Sequence, residues 1–164
     1  MKIILFGFLL LVALAITAGG CYLLVPVYGK SVANYLALKA DEAYTDTHYR
    51  QSMVDYQEAT KLDPTNAFLL NNFAWLLATA PDEKARDGKK AVQVALKACE
   101  LTKYQNAAYV DTLAAAYAEI GDFENAVKWE TKYLTSLSLA PADATDGQTR
   151  LALYQAKKPY HADQ

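Results

Sequence analysis

Two hydrophobic textures follow one another along the chain. From Ile3 to Tyr28 no charged residue occurs, and most positions are Leu, Ile, Val, Phe or Ala. That run is longer than the roughly 20 apolar residues a bilayer-spanning helix needs. From Ser31 onward apolar residues recur at i, i+3, i+4 and i+7, as in Phe73, Leu76, Leu77 and Ala80, or Leu113, Ala116, Tyr117 and Ile120. Such a period lines one face of a helix, and no stretch sustains the period-2 alternation of a half-buried strand. The pattern predicts an all-α chain. Breaks fall at Thr45-Asp46-Thr47, Asp63-Pro64-Thr65-Asn66, Ala80-Pro81-Asp82, Gly121-Asp122 and Pro141-Ala142-Asp143, where Gly, Pro and Asp end or start helices. Their spacing is that of hairpins of two short helices.

Three fates fit the apolar run: an uncleaved anchor, a cleavable signal peptide, and a lipoprotein signal ending at Cys21. A cleavable signal has an apolar centre of about 7 to 15 residues followed by a polar stretch. Here Tyr22, Leu23, Leu24, Val25 and Val27 carry the apolar character past Ala18 and Cys21. Ala18-Gly19-Gly20-Cys21 resembles a bacterial lipobox, with Ala18 where that pattern usually has Leu. The length of the run favours a single-pass transmembrane helix within residues 1–29, closed by Pro26 and Gly29. Lys2 on one side is matched by Lys30 and Lys39 on the other, so charge does not set the orientation. The two-residue leader suits an anchor with its N-terminus inside, which places residues 30–164 on the extracytoplasmic, periplasmic side.

Residues 30–164 repeat themselves. The run Val110-x-x-Leu113-Ala114-x-x-Tyr117-x-x-x-Gly121-x-Phe123-x-x-Ala126 is preceded by Leu70, Phe73, Ala74 and Leu77 with Ala91, Ala95 and Ala98, and before that by Leu36, Ala40 and Ala43 with Tyr49, Ser52, Tyr56 and Ala59. Ala40 and Ala74 stand 34 residues apart, the period of the tetratricopeptide repeat (TPR). These units resemble tandem TPRs of bacterial repeat proteins. The resemblance implies three helical hairpins, at about 33–66, 67–106 and 107–141, and a capping helix at about 145–158. The sequence departs from the family pattern at Lys39, at Glu130 and Tyr133, in about five extra residues around Pro81 to Gly88, and at Lys103-Tyr104-Gln105 in place of an Asp-Pro closure. One hairpin cannot bury its own apolar face, so stacking of neighbours makes the core.

Composition narrows the chemistry. A formal net charge of −2 supplies no basic field of the kind that draws proteins onto nucleic acid. Cys21 and Cys99 are the two cysteines, and His48 and His161 the two histidines. They support neither a disulfide framework nor a thiolate metal site. Motifs of hydrolases, phosphate-binding loops, zinc proteases, dinucleotide folds and haem attachment are missing from the sequence. No catalytic residue, cofactor or metal is therefore expected. His48 is expected in a turn and His161 in a fraying tail; Cys99 is expected to fill a small buried site. Lys84, Arg86, Lys89 and Lys90, offset by Asp82, Glu83 and Asp87, read as a solvated loop.

The TPR resemblance also implies where a partner binds. In that family a peptide or partner helix lies in a concave groove lined by the first helix of each pair. Helical spacing from the matched positions selects Ala37, Asp41 and Tyr44, then Phe68, Asn71, Trp75 and Ala78, then Asp111, Ala115 and Ala118; the polar and aromatic ones among them are the candidate contacts. Trp75 and Tyr44 are rotamer-poor amphipathic anchors. Asn71 suits hydrogen bonding to an extended backbone, and Asp41 with Asp111 favours a ligand carrying Lys or Arg. The expected function is a membrane-anchored, non-catalytic adaptor for a protein or peptide partner. The alternative is an accessory structural subunit of a large membrane complex.

Overall fold

The computed structural model describes residues 21–135 and 141–162. Within them lie α1 (Cys21–Thr45), α2 (Tyr49–Leu62), α3 (Ala67–Thr79), a short 3-10 turn (Glu83–Ala85), α4 (Gly88–Leu101), α5 (Ala107–Glu119), α6 (Phe123–Leu134) and α7 (Pro141–Gln155). Consecutive helices pair as hairpins α1/α2, α3/α4 and α5/α6, each stacks on the next, and α7 closes against α6. This is an all-α helical repeat.

The stacking follows from side-chain size. Ala40, Ala59, Ala74, Ala91, Ala98, Ala114 and Ala126 have no exposed surface, and these small residues let the helix backbones approach. Phe73, Leu76, Leu77 and Leu113 fill the seams. Helix α3, apolar almost all round, is the middle of the stack, and Leu69, Leu70, Phe73, Ala74, Leu76, Leu77 and Ala78 are all buried. The helix starts are capped by short polar side chains. Asn66 accepts from the Leu69 N–H, Asp87 from Lys90 and Asp122 from Asn125, each meeting one of the donors a helix start leaves open. Gly121 ends the α5 hairpin turn at φ 78, a conformation open to glycine at little cost. Lys103 and Tyr104 adopt positive φ after α4, at the site where the sequence lacks the usual closure. Tyr104 stacks on Trp129 at 5.4 Å, with the Lys132 ammonium over both rings, and this aromatic packing holds the strained turn.

Three expectations change. First, Pro26 and Gly29 do not end a helix, because α1 runs through both to Thr45. Proline and glycine disfavour a helix interior by about 3 and 1 kcal/mol, but α1 lies along α2 as far as Gly29, which stands beside the Leu62 carbonyl. At Gly29 packing along that seam outweighs the local preference. Second, α7 begins at Pro141, because proline at a first helical position forfeits only a donor the helix does not use. Third, Arg86 and Lys90 are not free loop charges. Arg86 bonds the Ala80 carbonyl and Glu119, while Lys90 bonds Gln57 and sits 5.1 Å above the Phe73 ring. The transmembrane helix expected within residues 1–29 falls mainly on residues 1–20, outside the described residues. Among the described residues no helix is long and apolar enough to cross a membrane.

Helix α7 approaches α6 at Gly147. A Cβ there would stand 2.7 Å from Tyr133 Cε1 and 2.8 Å from Leu134 Cδ2. Gly147→Ala should gain about 1 kcal/mol of helix propensity but lose about 1–3 kcal/mol to crowding. Urea unfolding should therefore register a net loss, and a stabilised variant would mean that α7 is not held this closely.

Candidate binding groove

The C-terminal half of α1, the middle of α3 and the first turns of α5 enclose a cleft of about 390 Å³. Asp41, Tyr44, Asn71, Trp75 and Asp111 all line it. Phe68 does not; it points outward and is 60% exposed. Five of the six polar and aromatic residues selected from the sequence therefore share one cavity, whereas Ala37, Ala78, Ala115 and Ala118 do not line it, the last three being buried in the helix seams. Trp75 and Asp111 also form a wall of a second, wider cleft of about 1000 Å³, completed by the turn after α4 and by Asp143, Asp146 and Arg150 of α7. Trp75 is thus the hinge of a continuous concave surface.

The polar groups in this surface differ in availability. Asp41 accepts a hydrogen bond from the Tyr56 hydroxyl. Burial, reinforced by that carboxylate, pushes the Tyr56 phenol well above its usual range, so it remains a donor. Asn71 Oδ1 is buried and finds no partner among the described residues, and a buried unmet acceptor is costly. An incoming N–H would satisfy it.

Asp111 was expected to face a ligand's cation, but the chain already supplies one. Arg150 Nε donates to Asp111 Oδ1 at 2.8 Å and Nη2 to Oδ2 at 3.0 Å, a bidentate geometry only arginine offers. Glu130 completes the cluster with Oε1 3.5 Å from Arg150 Nε. Glu130 is wholly buried. Burial first, and the Asp111 charge second, push its carboxyl up to about 9. Burial raises Asp111 as well, against the opposing pull of Arg150. The arrangement suits one proton on Glu130, with the guanidinium shared between two acids. Periodicity could not bring Arg150 to this place, since it lies 39 residues from Asp111. The one sequence signal was the break in the repeat pattern at Glu130.

The chain beyond α7 turns back across the same surface. Lys157 at φ 55 ends the helix. The Tyr160 ring lies 6.0 Å from Trp75, and the Arg150 guanidinium 5.8 Å from each of the two rings. His161 Nε2 is 2.7 Å from Glu119 Oε2, whose other oxygen accepts from Arg86 at 2.9 Å. The Ala162 N–H donates to the Thr79 carbonyl at 2.8 Å. The frayed tail expected at His161 is therefore a docked one. His48 is exposed at the start of α2 without capping it. No group of three or more metal-binding side chains occurs among the described residues. Cys99 is buried and donates to the Tyr109 carbonyl, and burial pushes its thiol up to about 11, which keeps it protonated.

No family model and no curated protein matches this chain. Among solved structures it is similar to the TPR domain of Arabidopsis OM64, with a TM-score of 0.62 over 76% of this chain and 97% of that one, at 19% identity. At that identity the likeness concerns the fold, a TPR-like stack of helical hairpins.

Proposed function

We propose that the chain is a membrane-anchored TPR adaptor of bacterial type that holds a protein or peptide partner in the groove between α1, α3 and α5 and performs no chemistry itself. The observation that carries this reading is the cleft that joins an amphipathic aromatic, Trp75, to an unsatisfied buried acceptor, Asn71 Oδ1. That pairing suits an extended peptide, whose N–H groups need acceptors and whose side chains need apolar seats. The uncharged run from Ile3 to Tyr28 supports anchoring, with residues 30–164 outside the cytoplasm.

Photo-crosslinkers at Thr45 in the groove and at Val54 on the exposed side of α2 test the site in native membranes. A partner should crosslink from position 45 and not from 54. Trp75→Ala should reduce that product about tenfold or more, in keeping with loss of a buried aromatic anchor. Equal products from both positions, or indifference to Trp75, would overturn the groove reading. The subunit alternative has its own support in Tyr35 and Leu38, one turn apart on α1 and 61% and 68% exposed. Stoichiometric migration with a large assembly after mild detergent extraction would favour it.

A further inference from the structure

We propose that the C-terminal tail, Lys157–Ala162, is an internal stand-in for the groove's ligand, and that the partner presents the same chemistry: an extended segment with an aromatic ring followed by a side chain that binds a carboxylate. The proposal rests on the adaptor reading and adds the ligand class to it.

Each element of the tail meets a feature that a peptide in trans would meet. Tyr160 packs against Trp75 and under the Arg150 guanidinium, a seat with stacking and cation–π character. His161 reaches Glu119, which Arg86 holds in place. The Ala162 N–H takes the carbonyl of Thr79, the last residue of α3. Carbonyls in a final helical turn lack partners in their own helix, so an extended segment laid across them has an acceptor waiting. Pro159 fixes one backbone angle just before Tyr160, which lowers the entropy lost on docking.

The tail's hold is local. The left-handed turn at Lys157 separates it from α7, so it can leave while Arg150 stays paired with Asp111. A tethered occupant competes at an effective concentration in the millimolar range. Free ligand therefore binds with an affinity reduced by the fraction of molecules whose tail is off. Partner capture and tail release become one event.

The test uses the full-length chain and a labelled, end-capped peptide of residues 157–162. Tyr160→Ala/His161→Ala leaves α7 intact and unseats the tail. In fluorescence polarisation this variant should bind the peptide at least tenfold more tightly than the unsubstituted chain. Adding Trp75→Ala should abolish the gain. Equal affinity of the two chains, or no binding to the variant while circular dichroism reports native helix content, would overturn the proposal. In those cases a Trp75-dependent crosslink from Thr45 would still stand for the groove itself; loss of that crosslink's dependence on Trp75 would sink the adaptor reading instead.

Discussion

Arg150→Ala is expected to lower stability by about 3–5 kcal/mol, the cost of leaving buried charges without their partner. The guanidinium is the only cation shown touching Asp111 and Glu130 among the described residues, and its loss strands a wholly buried acid, Glu130, beside a mostly buried one, Asp111. Arg150→Met keeps the apolar stem and separates packing from charge; it should recover only the smaller part of the loss. The effect should grow with pH. As pH falls both acids can escape the penalty by protonation, whereas at pH 8 ionising Asp111 has no compensating charge. Urea unfolding of the variants at pH 5 and pH 8 checks this, with tryptophan fluorescence as readout. A loss under about 0.5 kcal/mol, the range of ordinary surface substitutions, would mean that α7 is docked by shape alone. Trp75 and Tyr133, each 5.8 Å from the guanidinium, should report the undocking directly.

Much of this architecture was legible in the residue pattern, for a definite reason. Small residues at Ala74, Ala98, Ala114 and Ala126 are needed wherever two helices touch, and the 34-residue period repeats that need, so the pattern encodes contact as well as helix. The groove positions Asp41, Tyr44, Asn71, Trp75 and Asp111 follow from the same register and line one cavity. Phe68 follows from the register too, yet it stands near the start of α3 and remains largely exposed. What the sequence hid is non-periodic. Arg150 and Tyr160 reach the groove from the last helix and the tail, across separations no local rule spans. Lys84 and Lys89 stay exposed while Arg86 and Lys90 are drawn into bonds, a distinction set by the neighbouring helices. The continuity of α1 through Gly29 likewise comes from tertiary packing overriding propensity.

Glu130→Gln should reverse the usual effect of removing a buried charge partner, and the sign follows from the proton. The folded carboxyl titrates near 9, raised first by burial and then by Asp111, against an ordinary 4.5. A folded state that binds a proton more tightly than the unfolded chain loses stability as pH rises. The Glu130 contribution is fully present below pH 4.5 and declines through the window up to about 9. Over that window the decline amounts to on the order of a few kcal/mol. Glutamine keeps the shape of the protonated acid and cannot ionise, so the variant should lose the Glu130 share of the decline and fall less steeply with pH in this window. At pH 5 the two chains should match within about 1 kcal/mol, since only one hydroxyl donor has been exchanged for an amide. At pH 9 the variant should be the more stable. Parallel curves for the two chains would instead mean that Arg150 holds Glu130 ionised, and the shared guanidinium would then serve two full charges. That outcome would also alter the groove, because Asp111 would share its cation and regain part of the acidic character the sequence suggested for it.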